Sequence, residues 1–107
     1  MISALGRAQS GMLDASLRMD VAANNIANMS TAGFRPSQVV SVENPNGGVT
    51  SVVTQAGFGQ GFDPGASGTD LVAEMASMML ARLAFSANIS AFASARDSAR
   101  TLFEIVA

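Results

Sequence analysis

The 107-residue chain contains no cysteine, histidine, lysine, tryptophan or tyrosine. Without cysteine it has no disulfide, no thiolate nucleophile and no sulfur ligand for a metal. Without histidine, lysine or tyrosine its titratable side chains are carboxylates and arginines, which leaves acid–base catalysis few groups to use. We therefore expect no enzymatic activity, no catalytic residue, no metal site and no cofactor.

Charge is also scarce, since six arginines stand against eight acidic residues for a net charge of −2. Binding to nucleic acid or to an anionic membrane surface needs a clustered positive face, which this composition does not provide. The longest uncharged stretch of the C-terminal half, residues 83–95, is shorter than the roughly 18 residues that cross a bilayer. We expect no nucleic-acid partner and no direct membrane insertion. No apolar block follows Arg7, so we also expect no cleaved secretory signal peptide.

Apolar residues recur every seven positions near both ends of the chain and not between them. Such a repeat forms the seam of a helix that packs lengthwise against another helix. The spacing predicts a first helix over residues 2–28 and a second that begins after residue 67 or 69 and runs to the last residues. The residues predicted to form this assembly seam are Leu5, Met12, Met19, Ile26, Leu71, Met75, Met78, Phe85, Ile89 and Phe92.

The middle of the chain is rich in β-branched residues and then in glycine. Residues 38–43 and 49–54 flank an Asn-Gly pair, which favours a hairpin turn, and residues 56–68 predict a flexible Gly-rich linker. The predicted fold class is therefore mainly α. It comprises an antiparallel two-helix coiled coil from the N- and C-terminal segments, with a short central β-hairpin and the Gly-rich linker.

Composition divides the chain into residues 1–35 (N-terminal helix and an Asn-rich motif), 36–66 (hairpin and linker) and 67–107 (C-terminal helix). We expect the first and third segments to pair as one helical domain. Ser67 or Thr69 is the expected N-cap of the second helix, because a hydroxyl accepts hydrogen bonds from first-turn amides.

Two arginines of the second helix, Arg82 and Arg96, are fourteen residues apart and share the seven-residue series of Met75 and Ile89. A seam arginine can pack its stem and extend its charged head into solvent. Alternatively each arginine meets a carboxylate of the first helix, for which Asp14 and Asp20 are the candidates, and the ion pairs set the register.

Asparagine is concentrated at the end of the first helix, at Asn24, Asn25 and Asn28. Asparagine tolerates the left-handed backbone conformation and can satisfy last-turn carbonyls, so helix termination is one expected role. Three asparagines within five residues exceed what one cap needs, and the excess predicts polar contacts to another chain.

These residues belong to motifs that resemble the axial proteins of the bacterial flagellum, above all the rod proteins. The first motif runs from Ala23 to Asn28 and is followed by Gly33-Phe34, and the second lies in the C-terminal helix. The family-motif residues are Asn24, Asn25, Asn28, Gly33, Phe34, Glu74 and Asn88. Two positions depart from the family pattern: Ala32 stands where the family often has proline, and Leu83 where it usually has arginine.

The resemblance implies a structural subunit of the flagellar basal-body rod, of the proximal type because the middle segment is only hairpin-sized. It implies three sets of partners: copies of itself, other rod and axial proteins, and the flagellar type III export apparatus. It also implies export without a cleaved signal peptide to the periplasmic rod of the basal body, followed by helical polymerisation. Two other interpretations stay open, an export adaptor or chaperone-like protein acting in the cytoplasm and a membrane-active amphipathic peptide.

Overall fold

The computed structural model describes residues 2–55, 57 and 63–107. Its elements are helix α1 (Ile2–Ala27), strands β1 (Ser37–Glu43) and β2 (Val49–Gln55), and helix α2 (Leu71–Val106). The predicted fold class is confirmed to this extent: the chain is mainly helical, with a short antiparallel two-stranded sheet in its middle. Of the predicted Gly-rich linker, residues 56 and 58–62 lie outside the described residues.

The two helices lie side by side and run in opposite directions. Gly11 in the first half of α1 abuts Asn88 in the second half of α2. Asn25 near the end of α1 is hydrogen-bonded to Glu74 in the first turn of α2. The result is a thin rod with extents of 66 × 25 × 14 Å.

The hairpin lies along α1 and does not reach α2. Its base is bonded to Asn25 and its turn end to Ser10, so it follows the length of α1. Within the described chain, no Cα of either strand comes within 8 Å of a Cα of α2. Helix α1 is therefore the central element, with α2 on one side and the hairpin on another.

Glycine makes the hairpin turn possible. Gly47 and Gly48 have φ angles of 93° and 84°, in the left-handed region that glycine adopts without a Cβ clash. The amide of Gly47 donates to the carbonyl of Asn44 at 2.9 Å, and the amide of Asn44 donates to the carbonyl of Gly48 at 3.0 Å. The turn thus closes at the Asn-Gly segment predicted from the sequence.

Helix α2 is capped by a carboxylate and not by a hydroxyl. Asp70 accepts hydrogen bonds from two first-turn amides at 3.1 and 3.3 Å, and its charge meets the positive end of the helix dipole. Ser67 instead accepts from the amide of Thr69, whose hydroxyl donates to the carbonyl of Asn25. The prediction of Ser67 or Thr69 as the N-cap is wrong, because both hydroxyls serve the loop that precedes the helix.

The buried apolar core consists of alanine methyl groups. Among the described residues, the buried apolar side chains are Ala8, Ala15 and Ala22 of α1 and Ala81 of α2. The three α1 alanines are seven apart, so they lie on one face of the helix. Small side chains at these positions let the two helix axes approach closely.

Helix α2 is long and apolar enough, by length and composition alone, to cross a membrane. An 18-residue window within it has a mean hydropathy of 1.2, and 6% of that window is buried. The expectation of no membrane insertion came from the longest uncharged stretch. The 18-residue window includes Arg82, so it is longer than the uncharged stretch of residues 83–95 on which that expectation was based.

Candidate assembly surface

The face of α2 that turns toward α1 is marked by burial at alternating steps of four and three residues. This is the heptad spacing of a helix–helix seam. Its half-buried or buried members are Glu74, Met78, Ala81, Phe85, Asn88, Phe92, Ala95 and Ala99. The predicted seam residues of α1, which are Leu5, Met12, Met19 and Ile26, are half-buried beside the alanines.

Two predicted seam residues of α2 do not face α1. Met75 and Ile89 are 52% and 47% exposed, whereas Leu71, in the same heptad series as Met78, is the first residue of the helix and is 39% exposed. The seam instead uses the residues one position earlier than the first two, Glu74 and Asn88. Because α1 presents alanine and glycine at short range, these facing positions take small or hydrogen-bonding side chains, whereas Met78, Phe85 and Phe92 keep the other half of the seam apolar. Only one of the two predicted heptad series of α2 is therefore displaced.

The two helices approach each other closely at Gly11. A Cβ built on Gly11 would lie closer to Oδ1 of Asn88 than a van der Waals contact allows. Nδ2 of Asn88 donates to the carbonyl of Ala84 at 2.8 Å, which orients the amide toward its own helix. Asn88, a family-motif residue, thus fills the space that the missing side chain leaves.

Asn25 is the largest fully buried side chain among the described residues, at 1% exposure. Its Nδ2 donates to the carbonyl of Ser37 at 2.8 Å and to Oε1 of Glu74 at 3.0 Å. Its Oδ1 accepts from the amide of Ser37 at 2.9 Å. One side chain therefore joins α1 to β1 and to α2. We predicted polar contacts to another chain from the asparagine excess, whereas Asn25 makes its contacts within the molecule.

The other two asparagines lie at the end of α1. Nδ2 of Asn28 donates to the carbonyl of Asn24 at 2.9 Å, and Oδ1 of Asn28 accepts from the hydroxyl of Thr31 at 3.2 Å. Asn28 thus satisfies a last-turn carbonyl, which is the termination role expected of it. The side chain of Asn24 is exposed.

The Gly33-Phe34 motif connects the loop after α1 to the loop before α2. The amide of Gly33 donates to the carbonyl of Ala66 at 3.0 Å, and the amide of Gly68 donates to the carbonyl of Phe34 at 2.9 Å. Gly33 has a φ of 73°, a conformation that glycine adopts without strain. The motif closes the end of the rod where the two helices are joined, and Ala32 is exposed beside it.

The hairpin is fastened to α1 by a polar cluster around Asp14. The carboxylate accepts from Nε of Arg18 at 2.9 Å, from Oγ of Ser51 at 2.6 Å and from Oγ of Ser41. Burial, the largest influence, raises the pKa of Asp14, but the hydrogen bonds and the arginine charge together outweigh it and lower the pKa below 3.8. The carboxylate therefore stays ionised at neutral pH and holds both strands. Sequence reasoning missed both serines.

The predicted ion pairs between the helices do not form within the molecule. Asp14 pairs with Arg18 on its own helix, and Arg96 pairs with the adjacent Asp97 at 3.0 Å. Asp20 and Arg82 are exposed and have no ion-pair partner among the described residues. The register explains this, because Ala81 faces α1 and the next residue points away from it. Among the residues that the structure describes, no group of three or more acidic side chains could hold a metal ion.

Helix α2 carries a second apolar surface that α1 does not cover. We call it the outer stripe, and its members lie within about 120° around the helix axis. Its members and their exposed fractions are Val72 (78%), Met75 (52%), Met79 (71%), Leu83 (67%) and Ile89 (47%). Leu83 is the position where the flagellar family usually has arginine, so this departure extends the apolar surface.

The N-terminal part of the chain matches a known family. Residues 5–35 match the model of the family described as flagella basal body rod protein. The matched segment includes Asn25, the cluster residue Asp14 and the Gly33-Phe34 motif. Comparison with curated proteins gives no significant match. The resemblance inferred from the motifs is thus confirmed over α1 and the loop that follows it, where this chain is similar to the flagella basal body rod protein family.

Proposed function

We propose that the protein is a structural subunit of the flagellar basal-body rod, which assembles with copies of itself and with other rod proteins by coaxial packing of its helices. The observation that carries this proposal is the amount of surface the monomer leaves uncovered. Its accessible surface is 7263 Å², whereas a compact monomer of 10.9 kDa has about 5600 Å². The radius of gyration is 18.2 Å, against about 13 Å for a compact domain of this length.

The excess surface has the size that one subunit contributes to about two binding interfaces. It amounts to about 1700 Å², and each partner contributes about 800 Å² to a standard protein–protein interface. The outer stripe contributes large apolar side chains to it, such as Met79 and Leu83. A monomer with a core of alanine methyl groups gains stability when neighbouring subunits cover such a surface.

Several finer features belong to the same proposal. The pairing of α1 and α2 is an antiparallel coiled coil, supported by the four-and-three spacing of the seam. The chain is a rod subunit of the proximal type, supported by its small middle segment. It leaves the cytoplasm through the flagellar type III apparatus and functions in the periplasmic rod. The thin core supports this route, because a marginally stable chain unfolds readily for export.

The proposal is tested by placing a charge on the outer stripe. Met79→Glu leaves the α1–α2 seam intact, because Met79 is 71% exposed. We expect this variant to keep its helical circular dichroism and to be lost from detergent-extracted basal bodies. The matched control Ala91→Glu, at an exposed position of α2 about 80° around the helix from the nearest edge of the stripe, should co-purify with basal bodies like the wild type. Wild-type protein confined to the cytoplasmic fraction would instead favour the export-adaptor alternative.

Membrane insertion is a second candidate, favoured by the hydropathy of α2. Every 18-residue segment of α2 that is apolar enough to cross a membrane includes Arg82. An arginine near the bilayer centre costs about 2.5–3.5 kcal/mol or more. Flotation of the purified protein with neutral phospholipid vesicles distinguishes the two functions. A rod subunit should stay in the dense fraction, and co-flotation that survives high salt would favour insertion.

A further inference from the structure

The pairing of the hairpin shows which of its backbone groups point outward. Asn44 is hydrogen-bonded to Gly48, and bonded and non-bonded pairs alternate along an antiparallel ladder. In the register that pairs Val40 with Val52 and Val39 with Val53, Val40 is therefore bonded to β2. The odd-numbered residues of both strands turn their amides and carbonyls outward.

Helix α1 provides hydrogen-bond partners for the outward backbone groups at only one end of each strand. Asn25 binds both backbone groups of Ser37, as a neighbouring strand would. Ser10 accepts from the amide of Val49. Further along, the outward backbone groups of β1 at residues 39 and 41, and those of β2 at residues 51 and 53, have no hydrogen-bond partner among the described residues. Each strand therefore has an open edge.

Nothing in these strands protects the edges from pairing. Natural proteins block open edges with lysine, proline or bulges. Neither strand contains lysine, arginine or proline, and the one charged residue is Glu43 at the turn end. The face turned away from α1 is apolar, with Val40, Val42 and Val52 about half exposed.

An empty cleft lies beside the β1 edge. It has a volume of about 550 Å³, with Val39 of β1 on one wall, Ser77 and Leu80 of α2 on the other, and Val21 and Ala22 of α1 at its floor. A residue in a packed sheet occupies roughly 160 Å³, from the strand rise, strand spacing and sheet spacing. The cleft therefore accommodates about three residues of an added strand. Leu80, which is 67% exposed, would be covered by it.

We propose that the β2 edge of a second copy adds to the β1 edge, in the cleft between β1 and α2. The inference rests on the proposed self-assembly and names one of its interfaces. Within one molecule β2 lies on the far side of β1, so it cannot occupy its own cleft. A copy displaced sideways in the same orientation presents β2 antiparallel to β1, which is the relation found inside the hairpin. The contact joins two different edges, so it repeats from copy to copy.

Residue-resolved hydrogen exchange of the full chain, in dilute solution and in assemblies formed at high concentration, tests this pairing. In assemblies we expect the amides of Val39 and Ser41 on β1, and of Ser51 and Val53 on β2, to exchange at least about tenfold more slowly than in monomer. The amide of Val40, bonded inside the hairpin, is slow in both states and serves as the internal control.

Two results would overturn the pairing. One is an assembly in which the odd-numbered amides exchange as fast as in the monomer, and the other is a chain that stays monomeric at every concentration. Co-purification with basal bodies tests the rod function separately. A protein found in basal bodies whose odd-numbered amides remain unprotected would retain the rod function and exclude this interface.

A proline substitution gives a second test. Val39→Pro removes an outward amide and leaves the ladder bonds to β2, and strand edges tolerate such a proline. We expect it to reduce the assembled fraction measured by sedimentation, as should Val53→Pro on the other edge. The control Val40→Thr keeps both the amide and the β-branched side chain and should assemble normally. If the amide of Val42 also exchanges fast in Val39→Pro, the substitution has disrupted the hairpin itself. The exchange of the odd-numbered amides in the wild type then decides whether the proposed pairing forms.

Discussion

Asn25 is the residue that connects the three parts of the fold. Asn25→Ala would leave the amide and carbonyl of Ser37 unpaired and remove a hydrogen bond to Glu74. An unpaired buried polar group costs about 1–3 kcal/mol, so we expect the free energy of unfolding to fall by about 2–3 kcal/mol. The measurement is the urea midpoint at unchanged m-value. The matched control Asn24→Ala, at an exposed position on the same helix, should change stability by less than about 0.5 kcal/mol. Equal losses in the two variants would contradict the role assigned to Asn25.

Asp14 gives the attachment of the hairpin a dependence on pH. Its pKa is lowered in the folded state, although burial alone raises it. A carboxyl whose pKa is lower when folded contributes its full stabilisation above the unfolded pKa and loses it as the pH falls through the folded pKa. The wild type should therefore lose stability more steeply below about pH 4 than the variant Asp14→Asn does.

Urea unfolding of both proteins from about pH 6 to about pH 3 measures this difference in slope. The control is Asp20→Asn, because Asp20 is exposed and has no ion-pair partner among the described residues. That variant should keep the wild-type slope. If Asp14→Asn also follows the wild-type curve, the carboxylate does not hold the hairpin.

At the residue scale, the sequence indicates that polar side chains help to hold the fold together. It does not indicate which atoms those side chains contact. Three asparagines within five residues drew attention to Asn25, but only the position of the hairpin decides which asparagine is buried. Ser41 and Ser51 were missed, although a signal was present. Each interrupts a valine-rich strand, and the hairpin register places them directly opposite each other. Two facing hydroxyls in apolar strands indicate a polar partner beneath the sheet.

At the scale of the elements, the alanine face of α1 sets the distance between the helices. Ala15 is 1% exposed at the centre of that face. Ala15→Leu would push α2 away or strain the side chain, and such overpacking costs about 1–3 kcal/mol. We expect a lower midpoint of thermal unfolding. The control Ala23→Leu makes the same change at an exposed position of α1 and should leave the midpoint almost unchanged. A tolerated Ala15→Leu would mean that the helices are not closely packed there.

The heptad repeat predicts the two helices and the Asn-Gly pair predicts the hairpin, because both signals are local. The repeat does not determine which neighbouring heptad series faces the partner helix. On α2 the apolar series that contains Met75 and Ile89 competes with the series that contains Glu74 and Asn88, and the second is buried. What decides between them is the close approach at Gly11, which appears only when both helices are in place.

At the scale of the whole molecule, apolar surfaces on different sides of the described chain remain uncovered. The outer stripe lies on α2, and Val40, Val42 and Val52 lie on the face of the hairpin turned away from α1. Among the described residues, no Cα of α2 comes within 8 Å of a Cα of either strand. A rigid rod cannot fold one surface onto the other. Together they favour a subunit with several neighbours over a simple dimer, as the proposed rod assembly requires.

A cryo-electron microscopy map of isolated basal bodies, with this chain traced in it, tests the proposed assembly most directly. We expect α1 and α2 to lie along the rod axis, with Met79 and Leu83 of the outer stripe covered by a neighbouring subunit. A rod that contains the chain with this stripe facing solvent, or a complete rod from which the chain is absent, would contradict the proposal that the uncovered surface of the monomer is an assembly interface.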